Sequence, residues 1–165
     1  MEDEREVFAG RVVRLVLRGR YEVVEHVGGA AVVAVDDAEQ VLLVRQLRPA
    51  VGARLLELPA GLRDPEESAL ECARRELEEE TGFTATRLEP LAAFYSSPGF
   101  STELLHLFAA FDLHPCSAVG DDDEDIEVVR LPLAAAIARL LDDEISDAKT
   151  ITGLLAFQRK YRSQA

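Results

Sequence analysis

Four glutamates occupy the five positions from Glu76 to Glu80. On a helix turning about 100° per residue, Glu76, Glu79 and Glu80 share one sector of roughly 100°, and Glu78 points elsewhere, toward solvent. Glu76 and Glu80 stand four apart, where like charges cost a helix about 0.2–0.5 kcal/mol. Something must offset that repulsion. Three carboxylates converging from one rigid turn supply the hard oxygen donors that Mg2+ or Mn2+ takes, usually together with phosphate oxygens and water. The plainer alternative is a solvated acidic face with intrahelical ion pairs, such as Arg75 with Glu79.

The charge balance narrows what such a site would serve. With a formal net charge of −13 over 165 residues, the chain is poorly suited to nucleic-acid backbone or anionic lipid, both of which attract basic surfaces. An anionic substrate would need a cation as intermediary. Cys72 and Cys116 form no metal-ligand spacing and suit the reduced thiols of a cytosolic protein. No apolar run approaches the ~18–20 residues of a membrane span. The charged start MEDEREVFAG lacks the basic and apolar regions of a signal peptide. Residues 1–165 are therefore expected to form a single cytoplasmic domain.

The elements that must position the carboxylates are punctuated in the sequence. Asp64 suits an N-cap, Pro65 the first helical position, and Glu67 completes a capping-box-like start, with Gly82 as the C-terminal stop. The spacing predicts a helix of about seventeen residues, with Leu70, Ala73 and Leu77 as its apolar stripe. Before it, GRVVRLVLRG and YEVVEHV read as N-terminal strands, and GGAAVVAV and QVLLVRQL as core strands. After it, LEPLAAFY and LLHLFAAFDL read as strands around the loop SSPGFST. The acidic stretch GDDDEDIEVVRLPL leads into a further strand, and two helices, LAAAIARLLDD and AKTITGLLAFQRKY, close the chain. This order predicts an α+β fold or α/β sandwich with the sheet in the middle.

Gly61, Glu67, Arg75-Glu76-Leu77, Glu79-Glu80, Gly82 and Phe83 stand at the spacing G-x5-E-x7-R-E-U-x-E-E-x-G-U, where U is apolar. This resembles an intact Nudix box, the signature of hydrolases acting on nucleoside diphosphates linked to a further group. The resemblance implies a Nudix-type α/β/α sandwich with a central mixed sheet, preceded by antiparallel N-terminal strands. It also implies that Glu76, Glu79 and Glu80 are metal-binding glutamates, that the Ala60 carbonyl is a further ligand, and that Arg75 orients the glutamates by salt bridging. Arg75, Glu79 and Glu80 then belong to the catalytic set. Gly61 would let the backbone bend where metal and loop meet. For Glu67, helix capping and an outer role at the metal both stay open.

Further stretches resemble the ADP-ribose pyrophosphatase branch of that family. LLVRQLRPAVGARLLELPAGL places Arg48 where the branch has an arginine on the diphosphate. A guanidinium suits that task because it can bond two oxygens at once; the alternative is a surface charge at a strand end. SSPGFSTE places Pro98, Gly99, Phe100 and Glu103 in a motif that the branch uses at its substrate. DDDEDIEVV resembles the segment that carries a catalytic glutamate, at Asp122 or Glu124. EHVGGAA departs from the branch's commoner His-Pro-Gly. The adenine-stacking aromatic stays open among Phe8, Tyr21, Tyr95 and Phe100, and His26, His106 and His114 read as structural or exposed.

The activity implied is Mg2+-dependent cleavage of ADP-ribose to AMP and ribose 5-phosphate, with Mn2+ as a possible substitute. Rivals are the same chemistry on another nucleotide sugar, a dinucleotide or a nucleoside triphosphate, a non-catalytic nucleotide sensor, and a purely structural acidic domain. The resemblance further implies a homodimer built partly through residues 1–28.

Overall fold

In the computed structural model, residues 4–117, 125–140 and 145–162 are described. Strand β4 (Gly29–Val35) is buried along its whole length, so both of its faces need a covering layer. Alternate side chains meet the two layers. Ala30, Val32 and Ala34 pack with Cys72, Ala73 and Leu77 of helix α1 (Ala69–Thr81). Ala31, Val33 and Val35 pack with Leu133 and Ala136 of α2 (Leu133–Arg139) and with Leu154 and Phe157 of α3 (Ala148–Tyr161). The expected α/β/α sandwich therefore holds.

The central sheet runs β10-β5-β4-β9-β8, with β5 at Gln40–Arg48, β8 at Phe83–Tyr95, β9 at Leu104–Pro115 and β10 at Ile126–Pro132. Pairing of β4 with β9 is parallel and the remaining ladders are antiparallel, so the sheet is mixed. β4 and β5 pair only at Ala34–Leu42 and Val35–Val41. Beyond those positions β6 (Ala53–Glu57) lies on β5, and β7 (Ala60–Leu62) lies on β4. The Val32 N–H donates to the Pro59 carbonyl at 3.0 Å and pins the turn between them. Sequence patterning named neither short strand, because ARLLELPAGL is broken by Pro59 before any alternation can develop.

Helix α1 is shorter than its punctuation suggested. It has 13 residues, and Ser68, not Asp64, is its N-cap. The Ser68 hydroxyl accepts the Glu71 N–H at 3.2 Å, and the Glu71 carboxylate accepts the Ser68 N–H at 2.8 Å. This reciprocal pair satisfies two donors at once and prevails over the upstream start. Asp64 and Glu67 close a separate turn instead. Gly82 ends the helix with φ 70°, as expected, its N–H on the Glu78 carbonyl. Leu70 has the right helical angle but stands in the first turn and stays 44% exposed; buried Cys72 joins Ala73 and Leu77 in the stripe.

A separate antiparallel sheet holds β1 (Glu4–Ala9), β2 (Val13–Arg18) and β3 (Tyr21–His26). It docks through Val24, whose N–H donates to the Phe100 carbonyl at 2.7 Å and whose carbonyl accepts from Thr102 at 3.0 Å. Among the described residues no helix is long and apolar enough to cross a membrane.

Candidate active site

Arg75 resolves the crowding of like charge on α1. Its Nε and Nη2 donate to the two Glu67 oxygens at 2.9 and 3.0 Å. Its Nη1 donates to Glu76 at 2.6 Å and to Glu79 at 3.0 Å, and Nη2 also reaches the Leu62 carbonyl at 3.0 Å. One guanidinium thus ties three carboxylates to each other and to β7. Hydrogen bonding to Arg75 is the chief reason the Glu67 carboxyl is held below its ordinary range. The intrahelical pair of the plainer alternative is therefore present, but as one contact of a larger hub.

The other box glutamates turn onto the backbone of β7. Glu80, 8% exposed, accepts the Ala60 N–H at 2.8 Å. Glu76, also 8% exposed, lies against Gly61 so closely that a Cβ there would fall 2.0 Å from its Oε1. That missing side chain is a cradle for the carboxylate. Glu79 is exposed. Glu78 differs from expectation: it is half-buried and accepts the Thr84 hydroxyl at 2.5 Å.

Glu76, Glu79, Glu80 and the carbonyl of Ala60 are the kind of oxygen donors that a hard divalent cation takes. The N–H groups of Arg75 and Ala60 engage the three carboxylates here. Among the described residues, no three acidic, histidine or cysteine side chains are gathered around one point. The donor set and the Gly61 cradle fit such an ion, whose loading would exchange N–H contacts for cation contacts.

These glutamates, Arg75 and Ala60 line a cavity of about 810 Å3 that Arg48 and Gln46 border from β5, and Arg11 from the β1–β2 turn. A second cavity of about 300 Å3 shares Arg48 and residues 60–62 with the first and extends to Ser96, Glu103 and Lys149. The cavities therefore meet along β7. Arg48 Nε and Nη2 bond both oxygens of Glu57 at 2.8 and 2.9 Å. Glu57 is only 1% exposed, and Lys149 donates to the same carboxylate while standing 3.1 Å from Asp147. Burial alone would raise the Glu57 carboxyl, but hydrogen bonding and charge from Arg48 and Lys149 bring it below its ordinary range.

Sequence reasoning missed Glu57, Lys149, Asp147 and Gln46. A detectable signal for Glu57 was a charge inside the apolar run ARLLELPA, since such a charge is rarely buried without a partner. Gln46 Oε1 is buried without a hydrogen-bond partner among the described residues. Glu103 accepts the Ser96 hydroxyl and lies 3.6 Å from His26 Nδ1. Pro98, Gly99 and Phe100 line neither cavity; they form the turn whose backbone holds β3. Phe8, Tyr21, Tyr95 and Phe100 are all exposed. Asp122 and Glu124 lie outside the described residues. Cys72 is buried and free, and burial, aided by Glu67 and Glu76, pushes its thiol up to about 12.

A family profile described as the NUDIX domain matches residues 25–154. The chain belongs to the Nudix family. Its Nudix box, Gly61 to Phe83, is the segment whose glutamates line the larger cavity. An ADP-ribose pyrophosphatase of Bacillus subtilis is 35% identical, over 98% of this chain and 94% of that protein. A GDP-mannose pyrophosphatase of Citrobacter koseri is 39% identical, over 82% of this chain and 76% of that one. A solved structure described as an ADP compounds hydrolase superposes with a TM-score of 0.83 at 27% identity, covering 95% of this Nudix chain and 90% of its own.

Proposed function

We propose that this Nudix enzyme hydrolyses the diphosphate bond of ADP-ribose to AMP and ribose 5-phosphate, with Mg2+ as the cation and Mn2+ as its substitute. The observation that carries the reading is that the carboxylates of α1 and Arg48 line one cavity. The names of two relatives, an ADP-ribose pyrophosphatase and an ADP compounds hydrolase, support the substrate.

In this reading Glu76, Glu79, Glu80 and the Ala60 carbonyl hold the cation, and Arg75 keeps the carboxylates in register. When bound, the cation supplies neutralising charge to the diphosphate and acidity to water. Arg48 binds the diphosphate oxygens. Glu103, which lines the smaller cavity and follows the turn of Pro98, Gly99 and Phe100, contacts the sugar. Water attacks phosphorus, the P–O bond to the leaving phosphate breaks, and a carboxylate takes the water's proton. Glu124 or Asp122 is the proposed acceptor, with a box glutamate as the alternative. The protein works as a cytoplasmic homodimer joined partly through residues 1–28, with neither nucleic acid nor membrane as partner.

A second reading, hydrolysis of a different nucleotide sugar, is favoured by the GDP-mannose pyrophosphatase relative. Product analysis on a panel containing ADP-ribose, GDP-mannose and other nucleoside diphosphate compounds separates the two. AMP and ribose 5-phosphate released fastest, and only with Mg2+ or Mn2+, supports the first. Preferred release of GMP moves the assignment to the second, and no release from any compound sinks both.

A further inference from the structure

Outside the Nudix box, Glu57 is a buried carboxylate among the described residues, and it belongs to a balanced cluster of two cations, Arg48 and Lys149, and two carboxylates, Glu57 and Asp147. Arg48 takes both of its oxygens at 2.8 and 2.9 Å, and Lys149, 11% exposed, donates to one of the same oxygens. Lys149 belongs to the first turn of α3, which is itself anchored. Asp147, the N-cap, accepts the Thr150 N–H at 2.9 Å and the Thr150 hydroxyl at 2.5 Å. The Thr150 hydroxyl oxygen in turn accepts the Leu58 N–H at 2.9 Å. The α3 terminus therefore clasps Glu57 at the end of β6 and Leu58 just after it, two residues before Ala60.

Burying an ammonium is costly, and a helix could be anchored by Asp147 and Thr150 alone. The arrangement has an electrostatic consequence for Arg48. A guanidinium fully matched to one carboxylate presents no net charge to an incoming anion. Here Nε and Nη2 are held by Glu57, while Nη1 is uncommitted among the described residues. Lys149 keeps the cluster balanced against Glu57 and Asp147; without it, two carboxylates would face Arg48 alone and the site bordering the cavity would be net negative.

We infer that Lys149 is a positioning residue for the diphosphate: it offsets Glu57 and Asp147, so that Glu57 can aim Arg48 without the two carboxylates outweighing its charge. This rests on the reading above that Arg48 meets the substrate's diphosphate. The effect belongs to binding of the anion and not to the bond-breaking step, so it should fall on KM and not on kcat.

The test combines steady-state kinetics on ADP-ribose, calorimetric binding of ADP-ribose without divalent cation, and melting temperature. Lys149→Met should raise KM and weaken binding by roughly tenfold, the scale of one unit charge beside a partly desolvated site, with kcat within about twofold. Lys149→Arg should stay near wild type. Lys149→Met combined with Glu57→Gln should regain part of the lost affinity, because the charge balance of the cluster is restored while the amide oxygen still accepts one bond from Arg48. If Lys149→Met does not fold, Lys149→Gln, which keeps a donor but no charge, reads the same effect. An unchanged KM in the single variant, equal falls in kcat and affinity, or a double variant no better than the single one overturns the inference in favour of a helix anchor. Failure of wild type to bind ADP-ribose would instead count against the proposed substrate. Inorganic pyrophosphate then serves as the probe, with the same ordering of variants expected if the inference holds.

Discussion

Replacing Gly61 with alanine adds one methyl group where β7 and the Glu76 carboxylate touch. A Cβ built there lies 2.0 Å from Oε1, 2.1 Å from Cδ and 2.4 Å from Oε2, against a floor near 3.0 Å for real contacts. The carboxylate must therefore retreat by about 1 Å. Gly61 is not among the glycines with positive φ, so alanine meets no backbone strain. The clash is with the far end of a flexible side chain, which can rotate away. The main loss to stability is the 2.6 Å contact between Glu76 and Arg75, and overpacking of this kind costs about 1–2 kcal/mol. Activity should suffer far more, since a displacement of about 1 Å can cost about 100-fold. Melting temperature, and kcat/KM on ADP-ribose across a Mg2+ titration, measure the two effects separately. A variant within threefold of wild type at every Mg2+ concentration would falsify the placement of Glu76 among the cation's ligands.

Glu80→Gln should leave stability within about 1 kcal/mol, because an amide oxygen can still accept the Ala60 N–H, yet cost about 100-fold or more in activity; near-normal turnover at saturating Mg2+ sinks this. Glu57 has a lowered folded pKa, so its contribution to stability is present above the unfolded value of about 4.3 and is lost as pH falls through the folded one. Urea unfolding of wild type should show this acid loss, and Glu57→Gln should show a flatter acid limb after losing about 3 kcal/mol at pH 7; parallel pH profiles would refute it. Sedimentation at micromolar concentration should give a dimer, and a species of 18.1 kDa rules it out. Asp122→Asn and Glu124→Gln, made separately, should lower kcat unequally with little change in Mg2+ affinity; if neither matters, the proton acceptor lies in the box.

Legibility of the fold followed the length of each repeating pattern. β4, β9 and α3 are long apolar or amphipathic runs, and each of them formed. β6 and β7 span five and three residues, too few for period-two alternation to register, yet they fill the wedge between β4 and β5 and carry Ala60 and Gly61. Where α1 begins lay between two plausible caps of the same pattern. Asp64 and Glu67 do bond each other, but as a separate turn whose glutamate also meets Arg75, and the reciprocal pair of Ser68 and Glu71 opens the helix.

The site divides in the same way. Contacts within one helix are fixed by angle alone, so the pair of Arg75 with Glu79 could be read directly, whereas Glu80 turns to the Ala60 N–H. Contacts across the fold could not. Arg48 and Glu57 are nine residues apart but meet on adjacent strands, and Lys149 reaches Glu57 across 92 positions. Nothing in AKTITGLLAF distinguishes Lys149 from a solvated lysine on an amphipathic helix. What distinguishes it is where its helix starts: against β6, beside a carboxylate with 1% exposure, which leaves the Lys149 side chain only 11% exposed. A buried charge surrounded by apolar strand residues is thus a local sign that it has partners elsewhere in the fold, and this sign at Glu57, missed in the sequence, is answered in the structure by Arg48 and Lys149.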